Sequence, residues 1–168
     1  MTLDLRTTSV ATPDGLFHMV IDKDEIVRAS GFGSVDSLLY RLDKALTVDT
    51  VTHIQVHPYQ KHIALYYAGN QDALSQIPHE QTGTDFQKSV WSAMSSVDYG
   101  HTLSYKDLAA ASGRPNAIRA AGTICGLNRL ILLVPCDRIL KSDGSIGNYL
   151  YGPVIKESLL RHEKTFGK

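Results

Sequence analysis

Cysteine is scarce in this chain of 168 residues, which contains Cys125 and Cys136 and none before them. Neither belongs to a Cys-x-x-Cys pair, so a structural zinc site is not expected. The N-terminal residues lack a basic segment followed by an apolar one, so a signal peptide is not expected either. We therefore expect a cytoplasmic protein whose two thiols are free.

Long apolar runs and net charge are also lacking. No stretch approaches the ~18 apolar residues of a membrane span, although hydrophobic residues make up 43% of the chain and can form a core. The net charge of zero hides an asymmetry. Residues 1–81 hold 6 basic and 10 acidic side chains, and residues 82–168 hold 11 and 7. The basic second half indicates an anionic partner, although such a difference also arises by chance.

The first half of the chain predicts a small unit of strands and helices. Apolar, β-branched runs at 16–22 and 25–32 predict a hairpin. A helical period predicts helices over 35–46 and 57–69. The polar segment 70–85, which contains a proline and a glycine, marks the domain boundary, which we place after residue 81.

The second half begins with two capping-box patterns. Thr84 with Gln87, and Ser104 with Asp107, each place a hydroxyl three residues before a side chain that can bond back to the cap. The spacing predicts that one helix starts after Thr84. A second, short helix is predicted after Ser104.

The short helix and the one that follows have the outline of a helix-turn-helix. Gly113 is predicted to end the first helix, and Pro115 to lie in the first turn of the second. The second helix carries Arg119 and then three small residues, Ala120, Ala121 and Gly122. Such residues allow close packing on another helix, or close approach to nucleic acid with Arg119 projecting into the duplex.

Cys136 stands in an unusual local context. The apolar run 130–134 predicts a short buried strand that Pro135 ends, and a loop with glycines and serines follows at 141–152. A buried cysteine is more often inert than reactive. A strand end with charged neighbours instead favours a nucleophile, whereas Cys125, on the small-residue helix, is interpreted as inert.

A cysteine reacts as the thiolate, and its ordinary pKa of about 8.5 calls for a neighbouring base. Histidine held by a carboxylate is the usual arrangement, and the candidates are His101 and the pair His162 and Glu163. Asp137 has the wrong charge to stabilise a thiolate.

Several segments resemble the O6-alkylguanine-DNA alkyltransferases in order and spacing. They read "FQKSVWSAM", "YGHTLSYKDLA", "AIRAAG", "VPCDRIL", "GSIGNYLYG" and "LLRHE". The resemblance covers 84–164 closely and 1–81 loosely. It implies an α+β fold: a ribonuclease-H-like α/β domain over 1–81, with a sheet and helices, and a helical domain with a winged-helix-like helix-turn-helix over 82–168.

The resemblance also implies direct repair of O6-alkylguanine in duplex DNA. The protein would bind the minor groove as a monomer, without cofactor or metal, flip the damaged base and transfer its alkyl group irreversibly to Cys136. Arg119 would fill the gap in the duplex, Tyr105 would assist flipping and contact the base, and Asn128 would brace the cysteine loop. Glu163 would end the activating network.

The remaining implied site residues fall into two groups. The DNA contacts are Tyr105, Arg119, Ala120, Ala121, Gly122 and Arg138. The base pocket is lined by Tyr105, Cys136, Ile139, Tyr149, Leu150 and Tyr151.

One position departs from the family pattern, which has histidine after the cysteine where this chain has Asp137. Asp137 facing Glu163 would bring two carboxyls together, and like charges raise at least one pKa. Arg129 also replaces the usual proline, and Leu150 and Tyr151 add bulk to their loop. Either Asp137 activates Cys136 slowly, or the protein is a damage sensor with little transfer. A DNA-binding regulator with a vestigial pocket is a third hypothesis.

Overall fold

The computed structural model describes residues 2–167, which divide into two compact units. The first comprises residues 2–81 together with Arg129–Leu133, and the second comprises Thr82–Asn128 together with residues 134–167. The first unit therefore includes a short segment from the second half of the chain, which a single boundary after residue 81 leaves out.

The first unit is built on a four-stranded sheet. Its strands are β1 (Thr2–Thr12), β2 (Gly15–Asp22), β3 (Val27–Gly31) and β4 (Thr47–His53), in the order β3-β2-β1-β4. β1 is parallel to β4, and the other neighbours are antiparallel. The predicted hairpin is β2 and β3. Our sequence analysis missed β1 and β4, and every residue of β4 is exposed, so no alternation of buried and polar positions marks it.

Two helices complete this unit, and both are shorter than predicted. α1 (Val35–Arg41) begins at a capping box in which the Ser34 and Ser37 side chains bond each other's backbone. α2 (Tyr59–Tyr67) ends just before Gly69, whose φ of +95° makes it the predicted stop. One core cluster joins α1 to the sheet: Leu3, Leu5, Val20, Ala29, Leu38 and Leu42.

The second unit is mainly helical. Its elements are α3 (Asp85–Ser95), β5 (Leu103–Ser104), α4 (Tyr105–Ala111), α5 (Ile118–Gly126), β6 (Ile139–Leu140) and α6 (Pro153–Phe166), with β5 parallel to β6. α3 starts at the predicted capping box of Thr84 and Gln87. The fold is α+β, as predicted. None of the helices within residues 2–167 has the length and apolar character needed to cross a membrane.

α4 and α5 pack on each other in the predicted helix-turn-helix order. The Ser104 hydroxyl accepts from the Asp107 amide at 3.0 Å, and Gly113, with φ +86°, follows α4. α5 begins only at Ile118, so the prediction that Pro115 lies in its first turn is wrong. A turn closed by the bond from Ala117 N to Arg114 O, 2.9 Å, occupies that stretch instead.

The strand predicted at 130–134 is also wrong. Leu130 makes a single bridge to Ser30, and the chain then turns through Leu132, whose φ is +68°. The Ser30 hydroxyl donates to the Ile131 carbonyl at 2.8 Å and holds this segment. The run is apolar because it is buried, and burial alone does not distinguish a strand from a packed turn.

Candidate active site

Cys136 begins a single 3₁₀ turn, Cys136–Arg138, whose three residues are all buried. The Cys136 amide donates to the Val134 carbonyl at 2.9 Å, and the Arg138 amide donates to the Pro135 carbonyl at 3.1 Å. Burial raises the pKa of the Cys136 thiol, and Cys125 and Asp137 raise it further. The thiol is therefore protonated at neutral pH and needs a base before it can attack.

Asn128 braces the backbone next to this thiol. It lies just beyond the end of α5 and is 1% exposed. Its Nδ2 donates to the Val134 carbonyl at 2.8 Å, so it ties together the two chain ends that leave and re-enter the second unit. A side-chain hydrogen bond from Asn128 also lowers the pKa of Cys136.

Tyr105, the first residue of α4, lies between two glycines. A Cβ on Gly122 would stand 3.6 Å from its ring carbon Cδ1, and a Cβ on Gly147 would stand 3.5 Å from Cε2. Burial, followed by Cys125 and Cys136, raises the pKa of Tyr105 to about 12. The phenol is therefore a hydrogen-bond donor beside the two thiols at all ordinary pH values.

Asp137 is fully buried, and within the described chain neither of its carboxyl oxygens has a hydrogen-bond partner. Burial, followed by the charge of Glu163, raises the pKa of this carboxyl to about 7, against the opposing effects of Arg138, of its own backbone amide, which lies outside hydrogen-bond geometry, and of Lys156. The carboxyl is thus a far better proton acceptor near neutral pH than an ordinary aspartate.

Arg138 and Glu163 form a buried ion pair. Arg138 Nε donates to Glu163 Oε2 at 2.8 Å, and Nη2 donates to Oε1 at 2.9 Å. Nη1 donates to the Val97 carbonyl at 2.6 Å. The prediction of Arg138 as a DNA contact is therefore wrong, because a guanidinium 9% exposed and bonded to a buried carboxylate cannot reach a phosphate.

The α5 residues expected at the DNA divide between two faces. Arg119 and Ala120 are exposed. Ala121 is fully buried with Ile124 and Cys125, so the prediction that it contacts DNA is wrong. Gly122 lies beside the Tyr105 ring, where its small size makes room for that ring.

The expected pocket wall is formed by β6 and the loop before α6. Ile139 is fully buried. The rings of Tyr149 and Tyr151 meet edge to face, with centroids 6.1 Å apart. Leu150 is 44% exposed and adds an apolar surface to the same loop.

Neither candidate histidine is among the groups that shift the pKa of Cys136. His101 is exposed, and its Nδ1 lies 3.2 Å from the Tyr99 carbonyl. His162 makes ring contacts with Tyr99 and Phe166. The groups that shift the pKa of Cys136 are Cys125, Asp137, Asn128 and Lys156. Among the candidate bases, Asp137 is the one whose charge acts on the pKa of Cys136.

The chain is similar to known proteins in sequence and in fold. The model of the 6-O-methylguanine DNA methyltransferase DNA-binding domain matches residues 85–165. A methylated-DNA–protein-cysteine methyltransferase of Salmonella typhimurium is 31% identical, with 96% of each chain covered. The chain belongs to the O6-methylguanine-DNA methyltransferase family.

Other relatives of this methyltransferase-family chain differ in length. A methylated-DNA–protein-cysteine methyltransferase of Saccharomyces cerevisiae is 36% identical over 79% of this chain and 73% of its own. The Ada protein of Escherichia coli, a bifunctional transcriptional activator and DNA repair enzyme, is also 36% identical, but the chain spans only 30% of its length. The crystal structure of the Mycobacterium tuberculosis O6-methylguanine methyltransferase superposes with a TM-score of 0.78, at 25% identity over 98% of this chain and 95% of that one.

Our sequence analysis missed Lys156 in this family member. Lys156 is fully buried on α6, and its Nζ donates to the carbonyls of Ile139, Ile146 and Asn148 at 2.6, 2.7 and 3.2 Å. One signal was available: Lys156 shares a helical face with Leu159 and Glu163, both of which are buried. A lysine on a buried face needs partners, and here it holds the expected pocket wall.

Proposed function

We propose that this protein repairs O6-alkylguanine in duplex DNA by flipping the base out and transferring its alkyl group irreversibly to Cys136. It would act as a single-turnover methylated-DNA–protein-cysteine S-methyltransferase, as a monomer and without a cofactor. One observation carries the proposal: a buried thiol shares its surroundings with the Tyr105 hydroxyl, the Asn128 amide and a carboxyl, Asp137, that has no hydrogen-bond partner in the described chain.

The first chemical step is loss of the thiol proton. The Cys136 S–H bond breaks and an O–H bond forms on the Asp137 carboxylate, directly or through a water. Burial raises the pKa of both groups. The difference between the Cys136 and Asp137 pKa values is therefore smaller than it would be if only the pKa of the thiol were raised. The pKa of the thiol is still the higher of the two, so the proton stays on sulfur in most molecules. The thiolate that reacts is a minor species.

The second step is displacement at the alkyl carbon. The sulfur forms a bond to that carbon while the carbon–O6 bond breaks, and the electron pair passes to the guanine, which takes up a proton. The Tyr105 phenol, a donor at all ordinary pH values, is suited to stabilise the departing base. A thioether has no route back to the thiol here, so each molecule would react once.

Access to the thiol requires the base to leave the duplex. Cys136 is only 7% exposed, so a base within the stack cannot reach its sulfur. Flipping costs a few kcal/mol. The exposed Arg119, near the start of α5, is suited to fill the space that the base leaves, and the positive balance of residues 82–168 favours the DNA backbone.

A second function is favoured by one observation, the raised pKa of Cys136 beside an acidic neighbour. If the thiolate is too rare to react, the same pocket would bind alkylguanine as a damage sensor. The sensor needs the flipping residues Arg119 and Tyr105 but not the acceptor thiol.

One experiment separates the two functions. The protein is mixed with a duplex containing O6-methylguanine, and the intact protein and its peptides are weighed. Transfer adds one methyl group per molecule to the peptide that holds Cys136, leaves Cys125 unmodified, and is absent from Cys136→Ser. Tight and selective binding with no methyl group on Cys136 at any time or pH would establish the sensor.

A further inference from the structure

Several buried titratable and charged groups of the described chain act on Cys136 and Asp137. The charged and titratable groups that face Cys136 and Asp137, or the groups paired with them, come from α4, α5, α6, the loop 96–102 and the 3₁₀ turn. They are Tyr99, Tyr105, Cys125, Cys136, Asp137, Arg138, Lys156 and Glu163. Two of them are cations, Arg138 and Lys156.

The first cation, Arg138, forms an ion pair with Glu163. Arg138 bonds both oxygens of Glu163, so the pair adds no net charge to the cluster, although Glu163 affects the pKa of Asp137 more than Arg138 does. Lys156 remains, fully buried, with its three N–H groups bonded to uncharged carbonyls. A buried ammonium with no anion carries a large desolvation penalty, so its charge favours one further negative charge in this cluster.

Three groups can carry that negative charge: the Asp137 carboxyl, which is the most acidic of them, and the thiols of Cys136 and Cys125. The Lys156 charge lowers the pKa of all three. Burial lowers the pKa of Lys156, and Cys125, Cys136 and Asp137 in turn raise it. When the proton passes from sulfur to carboxylate, the negative charge passes from carboxylate to sulfur. The total charge of the cluster does not change.

We propose that Lys156 is a positioning residue whose buried ammonium balances a single negative charge, which lies on Asp137 at rest and on the Cys136 sulfur after proton transfer. The role of the Lys156 charge in catalysis rests on the alkyl transfer proposed above. The assignment explains how an aspartate can stand beside a nucleophilic cysteine: the lysine prevents the pair from accumulating uncompensated charge. It also gives Lys156 a second role, since the same ammonium holds the backbone of Ile139 and of the loop before Tyr149.

The charge role is tested without DNA by a double-mutant cycle on thiol reactivity. The proteins are the natural chain, Asp137→Asn, Lys156→Met and the double variant, each reacted with iodoacetamide near neutral pH and read by the mass of the Cys136 peptide. Asp137→Asn leaves Lys156 without its anion, so the thiolate becomes that anion and alkylation accelerates by on the order of tenfold. In the Lys156→Met background Asp137 is already protonated, so the same substitution has almost no effect.

Equal effects of Asp137→Asn in the two backgrounds would overturn the proposal and leave Lys156 a structural residue. Lys156→Gln, which keeps donors for the carbonyls but lacks the charge, should repeat the result of Lys156→Met, and Lys164→Gln, an exposed neighbour on α6, should behave as the natural chain. If the lysine variants fold poorly, Asp137→Asn should restore their folding above about pH 8, and failure to do so also overturns the proposal. If the double-mutant cycle gives the expected result but the protein transfers no methyl group from DNA, the repair function is refuted and the charge coupling is not.

Discussion

Arg138 bonds both carboxylate oxygens of Glu163, at 2.8 and 2.9 Å, and both side chains are buried. The Gly100 amide adds a third contact to Glu163 Oε2 at 3.2 Å. Glu163 is therefore held as an anion by a partner of its own, and it acts on Asp137 only as a nearby negative charge. The proton acceptor that we propose beside Cys136 is therefore Asp137, whose pKa the Glu163 charge raises.

The ion pair should contribute strongly to stability. Arg138→Met leaves the buried Glu163 carboxylate unpaired, and such a change costs about 3–5 kcal/mol of unfolding free energy. Urea unfolding at neutral pH measures the loss. Arg138→Met combined with Glu163→Gln should recover part of it, while Arg161→Met, at an exposed position of α6, should change stability little. If the double variant recovers none of the lost unfolding free energy, Arg138 acts mainly through its bond to the Val97 carbonyl and its packing.

Ionisation of Asp137 should make the free energy of unfolding depend on pH. Its pKa is about 7 in the folded protein and near 3.9 when unfolded, so between these values the folded state binds more protons. Stability should therefore fall as pH rises from about 4 to 7, by up to about 1.4 kcal/mol per pH unit from this group alone. Asp137→Asn should remove that slope, as measured by urea unfolding across the window.

Asp143 provides the control with the opposite sign. Hydrogen bonds from Ser145, first from its side chain, lower the pKa of this exposed carboxyl. A group with a lowered pKa favours folding above its unfolded pKa and loses that effect as pH falls. Asp143→Asn should therefore lose stability at neutral pH relative to acid pH. A pH profile unchanged by Asp137→Asn would mean that Asp137 ionises at its ordinary pKa.

The fold and the site were accessible to sequence analysis to different degrees. The capping patterns at Thr84 and Ser104 located helix starts because they depend on residues close in the chain. The turn at 130–134 was missed because its apolar residues are explained by burial, and Ser30, which holds it, lies about a hundred residues earlier. Arg138 was misassigned for the same reason, since only the folded chain brings Glu163 to it.

DNA recognition should separate damage preference from general affinity at Arg119. Arg119→Ala should lose most of its preference for an alkylated over a normal duplex while it keeps much of its nonspecific binding, because backbone contacts dominate the latter. Binding to both duplexes is measured by fluorescence anisotropy at several salt concentrations, with the exposed Lys61→Ala of the first unit as control. Equal loss on both duplexes would make Arg119 a phosphate contact. Affinity that does not fall with salt would contradict DNA binding by charge altogether.

Asp137→His should accelerate alkyl transfer. The resemblance to the family implies histidine at this position, and a neutral imidazole accepts the thiol proton without placing a negative charge beside the nascent thiolate. The negative charge of the Glu163 carboxylate, which Arg138 holds in place, then favours the imidazolium that forms. We expect roughly tenfold faster single-turnover transfer from an O6-methylguanine duplex at neutral pH, which corresponds to about 1.4 kcal/mol of barrier.

Asp137→Asn, which has neither base nor charge, separates the two causes: it should transfer more slowly than Asp137→His if proton removal limits the reaction. Slower transfer by Asp137→His than by the natural chain would mean that the aspartate and Lys156 together are the more effective base, and that this pocket is built around a carboxyl.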